Sequence, residues 1–220
     1  MVVIGNLVDA WRSFGNGTNN SSGSGANGKS GAPSNIPLFQ VIDNYTSYSY
    51  WSTTPTHITY QEEIWATWSS IIHGARGILS FLYAHGFSGT GEQAAIASNN
   101  AAIKSLASVI NSPFALSYLT SISPHGYLFP TFESSWLNGG IEAMAKWDGS
   151  NFWIFATTRY GEAANPINQS AIFSISDASA TSVTIEFSTD GDQGNTISIS
   201  AGSFTDTFAN SWSVKIYKVT

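Results

Sequence analysis

Between Thr56 and Tyr83 the apolar positions change period, and the change divides the stretch into a helix and a strand. Ile64, Trp65, Trp68, Ile71 and Ile72 recur at three- and four-residue spacing, which places one broad apolar face along the helix. Thr59 followed by Glu62 has the form of a capping box, whose hydroxyl and carboxylate satisfy N–H groups that the first turn leaves unpaired, so the helix is predicted to begin near Tyr60. Gly74 is placed as the left-handed C-cap that a β-carbon would disfavour. From Gly77 the run Ile78, Leu79, Phe81, Leu82 and Tyr83 is nearly continuous, the pattern of a strand buried on both faces as parallel sheets require. A second such run, Pro37 to Ile42, ends at Asp43. Strand, helix and strand in this order predict a βαβ unit.

On either side the pattern changes again. The spacing predicts an amphipathic helix over Val2 to Phe14, with Ile4, Leu7, Val8, Trp11 and Phe14 on one side. Gly15 to Asn35 has no apolar anchor and reads as a flexible loop. Ile103, Leu106, Ala107 and Ile110 mark another helix, from Asn99 or Asn100 to Ile110, which Pro113 ends. Beyond it the period is two. Ile141, Ala143, Ala145 and Trp147 alternate with Glu142, Met144 and Lys146, Asp148-Gly149 is a hairpin signal, and Phe152, Ile154 and Ala156 alternate in turn. Further strands are predicted at 171–176, 181–187, 196–200 and 211–219, and together they indicate an antiparallel sandwich.

The segments IPLFQVIDNY, THITYQEEIWATWSSIIHGARGILSFLYAHGF and NNAAIKSLASVINSPFA resemble the last two strand-and-helix units of a (β/α)8-barrel glycoside hydrolase. The tail GSFTDTFANSWSVKIYKV resembles the closing strands of the β-sandwich that often follows such barrels. The resemblance implies an α/β plus all-β chain: an incomplete (β/α)8 barrel over residues 1–115, a connection at 116–137 and a C-terminal β-sandwich at 138–220. A closed barrel takes roughly 250 residues, more than precede the sandwich. The chain is therefore read as the C-terminal part of a longer enzyme, inactive alone. Inner barrel faces, including Ile42 and Phe81, are expected to stand open, available to the missing barrel portion or to self-association.

Composition narrows the chemistry. A net charge of −6 and a pI near 5.0 argue against a nucleic-acid partner, because phosphate binding needs a basic face. With no cysteine, disulfides and thiolate metal sites drop out. No apolar run approaches the ~18 residues of a membrane span. Few charges and many aromatics, among Ser, Thr, Asn and Gly, fit an extracellular protein that meets sugars. Met1 is followed by no basic and apolar leader, so secretion is expected without a signal peptide in this sequence.

Three motifs fail on context. Gly23 to Ser30 matches the P-loop pattern, yet NNSS precedes it and GAPSN follows, where a strand and a helix are required. GFSGTG is not a nucleophile elbow. Asp190 to Asn195 hints at calcium but lacks the closing Glu of an EF-hand loop, and turn chemistry accounts for it. The His residues show no metal-binding spacing, and no cofactor is implied.

In a barrel, residues at the C-terminal ends of strands and in the loops after them form the active face. Asp43 is the catalytic candidate that the resemblance implies: a nucleophile at a strand end, paired with an acid/base carboxylate from an earlier strand. This chain has Asp where the families it resembles usually have Glu. The other reading of Asp43 is a cap on the loop that follows. Tyr45, Tyr50 and Trp51 belong to the aromatic loop 44–55, where rings either stack on the C–H faces of a sugar or pack the loop down. Tyr83, His85 and Glu92, at and after the second strand end, are the remaining substrate-binding candidates, with Glu92 placed in a loop facing the same side as Asp43. Glu62 and Glu63 are read as structural first-turn carboxylates, and His73 as a favourable helix C-terminal residue. A non-catalytic carbohydrate-binding or surface protein is the alternative reading of the whole chain.

Overall fold

The computed structural model describes residues 39–43, 45–47, 56–81, 91–129, 140–159 and 168–220. The predicted helix at Val2 to Phe14 and the loop at Gly15 to Asn35 lie outside them. The described chain is mostly strand with few helices. Strand β1 (Phe39–Asp43) runs parallel to β4 (Gly77–Phe81), in the register Phe39↔Gly77 to Asp43↔Phe81. Between them in sequence lie the short pair β2 (Tyr45–Ser47) and β3 (Thr56–His57), and helix α1 (Tyr60–Ile72).

Helix α1 begins and ends as its sequence predicts. The Thr59 hydroxyl accepts from the Glu62 N–H at 3.3 Å while the Thr59 N–H donates to Glu62 Oε2 at 2.7 Å, a closed capping box. At the other end Gly74 has φ of 83°, its N–H donates to Ile71 O and that of Ala75 to Ser70 O. This is the paired-bond stop that glycine permits without strain.

Helices α2 (Glu92–Ser105) and α3 (Ala107–Ile110) follow, separated at Leu106. The sequence placed this helix from Asn99 or Asn100 and put Glu92 in a loop. The structure corrects both, since Glu92 opens α2 directly after Gly91, whose φ of 111° turns the chain into the helix. Ala94 to Ala97 carry too little apolar contrast for the periodicity to register.

The remaining strands form two sheets. The larger has the order β11-β10-β13-β8-β7-β6, from Thr196–Ser198, Ser182–Ser188, Val214–Val219, Phe152–Thr158, Ile141–Trp147 and Gly126–Leu128. The smaller has the order β12-β9-β5, from Ser203–Phe208, Gln169–Ile175 and Leu119–Ser123. Pairing is antiparallel throughout except between β6 and β7. β5 and β6 come from the segment read as a connection. They build sheet because Leu119 and Ile122 reach the sandwich core.

One core lies between the sheets, built on Ala143, Ile154, Phe173, Val183, Phe204, Phe208 and Tyr217. A second lies on the other face of the large sheet, where Met144, Phe155, Val214 and Ile216 meet Trp65, Trp68, Ile71 and Ile72 of α1. The large sheet is therefore covered on both faces. This explains why the even positions of β7, Glu142, Met144 and Lys146, are buried as well as most of the odd ones. Ile42, at 1% exposure, faces this helical core. The open face of the parallel pair carries instead Phe39 at 62%, Val41 at 48% and Leu79 at 54% exposure. The expectation that Ile42 stands open is wrong by one residue of strand parity, and a one-residue shift exchanges the two faces completely. The strands are likewise not buried on both faces, as the continuous apolar runs had suggested; the Phe81 side chain lies outside what is described.

Candidate functional site

The parallel pair fixes one edge. Asp43 closes β1 and pairs with Phe81, which closes β4, so both strands end at the same level and the chain leaves both from one side. Tyr45 opens β2 two residues later, opposite His57. Gly91 sits against Tyr60, where an added β-carbon would be 3.3 Å from Tyr60 Cβ, so the starts of α1 and α2 are neighbours. In a βαβ unit the helix starts at the end where the preceding strand finishes. The backbones of Asp43, Tyr45 and Glu92 thus come to one end of the unit. Tyr50, Trp51, Tyr83 and His85, together with Tyr48 of the same loop, lie outside the described residues.

Beneath α1 the structure builds a polar cluster that the sequence did not reveal. Glu142 of β7, 2% exposed, accepts from Ser69 Oγ at 2.5 Å through Oε1 and lies 3.0 Å from His73 Nε2 through Oε2. Ser69 donates to the carboxylate and not to the imidazole, so this is no activated nucleophile; it ties the last turn of α1 to the sheet. His73 therefore has a specific partner besides its helix end. Trp65 Nε1 makes a second tie, donating to Thr158 O at 2.6 Å. No local signal joins partners this far apart in sequence.

Lys146, on the same face of β7, donates from Nζ to Ser112 O at 2.9 Å and lies 3.5 Å from the centre of the Phe114 ring. Burial, and then the Arg76 charge, push its pKa down to about 7.

The turn at Asp190 to Asn195, weighed as a calcium loop or a plain turn, is neither an ion cage nor idle. Lys215 Nζ donates to Asp192 Oδ2 and Asp206 Oδ2 and lies 3.8 Å from Asp190 Oδ2. Asp190 Oδ1 accepts from Ser213 Oγ at 2.6 Å. Among the described residues no group of His, Asp or Glu side chains is arranged to hold a metal ion.

No protein-family model matches the chain, and no curated protein matches it. Among solved structures it is similar to the glycoside hydrolase family 30 subfamily 8 xylanase Xyn30A from Clostridium acetobutylicum, with a TM-score of 0.41 and 12% identity, over 83% of this chain. The similarity spans 42% of the xylanase.

Proposed function

We propose that this chain is the C-terminal portion of a secreted glycoside hydrolase acting on glycosidic bonds of a polysaccharide or oligosaccharide. In this reading β1 and β4 are neighbouring strands of a (β/α)8 barrel spanning residues 1–115, and residues 138–220 belong to the sandwich that trails it. Asp43 is the catalytic carboxylate at a strand end, and Tyr45, Tyr50, Trp51, Tyr83, His85 and Glu92 surround the sugar.

The observation that carries the reading is the parallel pair. α1 covers one face, while Phe39, Val41 and Leu79 leave the other exposed and apolar. Parallel sheets have both faces covered, and in a barrel the second face is the packed interior. Further strands, from the rest of the barrel, supply that cover.

The test is a glycan-array screen of this chain beside its Tyr50→Ala, Trp51→Ala double variant. Binding that falls at least about tenfold in a folded double variant supports a sugar platform at the strand ends. Binding that a folded double variant keeps unchanged contradicts it. The alternative, a non-catalytic carbohydrate-binding protein, is favoured by one observation on the sandwich: Trp147 stands exposed at the end of β7, beside Phe152, which stacks on Tyr118.

A further inference from the structure

Trp147 is the one exposed tryptophan among the described residues, at 37%. It ends β7, and its ring lies 4.4 Å from that of Phe152, the first residue of β8. Phe152 in turn stacks on Tyr118 at 3.6 Å and 10° between planes. The three rings make a ledge running from the surface into the sandwich.

The ledge is held from both sides. The Trp147 N–H donates to Pro113 O. In the hairpin that follows, Asp148 Oδ1 accepts from the Ser150 and Asn151 N–H groups, and Oδ2 accepts from Trp153 Nε1 at 2.7 Å. At the inner end the Ser176 N–H donates to Tyr118 O. The Tyr118 hydroxyl is buried and has no hydrogen-bond partner. Burial, and then the Asp177 charge, push its pKa up, so it stays a neutral donor.

From this geometry we propose that Trp147, backed by Phe152, forms a stacking subsite for a neutral pyranose of a polysaccharide, distinct from the strand ends that hold Asp43. The carbohydrate reading above supplies the class of ligand; the ledge supplies the place. An indole face matches one sugar ring in size, with apolar C–H groups toward the ring and hydroxyls toward a polar rim. Ser117, next to Tyr118 in the chain, and Ser150, in the hairpin after Trp147, are both exposed. Asp148 and Asp177 put negative charge beside the ledge, which disfavours acidic sugars. A protein partner fits less well, because a stable interface covers roughly 800 Å² on each side and this ledge presents one exposed ring.

The test is affinity electrophoresis of the full chain through gels holding soluble xylan, mixed-linkage β-glucan, galactomannan or dextran. Wild type is run with Trp147→Ala, Trp147→Phe and the Tyr50→Ala, Trp51→Ala variant, each checked for folding by its urea midpoint. The proposal expects retardation on at least one polysaccharide, weakened roughly three- to tenfold by Trp147→Ala and largely kept by Trp147→Phe. Equal retardation of wild type and a folded Trp147→Ala overturns the ledge; where the loop variant alone weakens, the carbohydrate reading survives. No retardation of wild type on any gel overturns both. Trp147→Ala that changes only the chain's self-association also overturns the proposal, by making the ledge a protein contact.

Discussion

Lys215 Nζ lies 2.6 Å from Asp192 Oδ2, and this pair joins the turn after β10 to the closing strand β13. Asp206 of β12, at 3.0 Å, ties in the smaller sheet, and the Tyr217 hydroxyl donates to the same carboxylate at 2.8 Å. Lys215 is 1% exposed, so the ammonium is enclosed at the end of the sandwich core.

Breaking such a cluster at its cation leaves carboxylates unpaired. Lys215→Met is expected to cost about 3–5 kcal/mol of stability at pH 7, read from urea unfolding. Burial disfavours the charged Asp192, but hydrogen bonds from Lys215 and Ser188 outweigh it and hold its pKa below the usual carboxylate value. That stabilisation is present above the unfolded carboxylate pKa of about 3.8 and is lost as pH falls through the lower folded value. The gap between wild type and Lys215→Met should therefore narrow in strong acid. A gap independent of pH would contradict the ion-pair account.

Lys146 gives the opposite pH dependence. Its folded pKa of about 7 lies below the ordinary 10.5, so between these values the unfolded chain binds more protons and stability rises with pH. The raised pKa values of Tyr217, Tyr118 and Lys215 act only above about pH 10, where they lower stability as pH rises. Wild type is expected to gain stability from pH 7 to about pH 9.5, and Lys146→Met to show little change over that range. A parallel rise in both proteins would sink the assignment.

The open face of the parallel pair should make the chain associate. Phe39, Val41 and Leu79 present one apolar surface, and such surfaces mark contacts. Sedimentation velocity is expected to show mass rising with concentration, and a Val41→Lys, Leu79→Lys variant to stay monomeric. A wild-type chain that is monomeric at every concentration contradicts the idea that this face needs cover.

What was legible in the sequence was local. The capping box at Thr59, the stop at Gly74 and the two apolar runs that become β1 and β4 each follow from residues within a few positions, and the order strand, helix, strand then implies their parallel pairing. Most sandwich strands were legible from alternation, but β5 and β6, in the segment read as a connection, and β12, with Thr205, Asp206 and Thr207 inside it, were not. In β7 alternation reports that two faces differ and not that one meets water, so the burial of both faces was not legible from it. Glu142 is buried against Ser69 and His73 at the end of α1, and Lys146 against Ser112 and Phe114. Of the candidate site, Asp43, Tyr45 and Glu92 could be placed by backbone; Asp43 ends its strand as expected, Tyr45 moved from a loop to the short strand β2, and Glu92 from a loop to a helix start. Contacts such as Glu142 with His73, or Lys215 with Asp192, were beyond reach, since they depend on how distant strands pack.

The glycoside hydrolase reading is tested most directly by turnover. The reading requires a longer reading frame upstream; the chain is expressed within that frame, and release of reducing sugar from polysaccharides is measured for the native protein and for Asp43→Asn. The account predicts hydrolysis by the longer protein, none by the chain alone, and a kcat at least about a hundredfold lower in Asp43→Asn with glycan binding kept. Equal turnover with Asp43→Asn, or a longer protein that binds sugar and hydrolyses nothing, would contradict it.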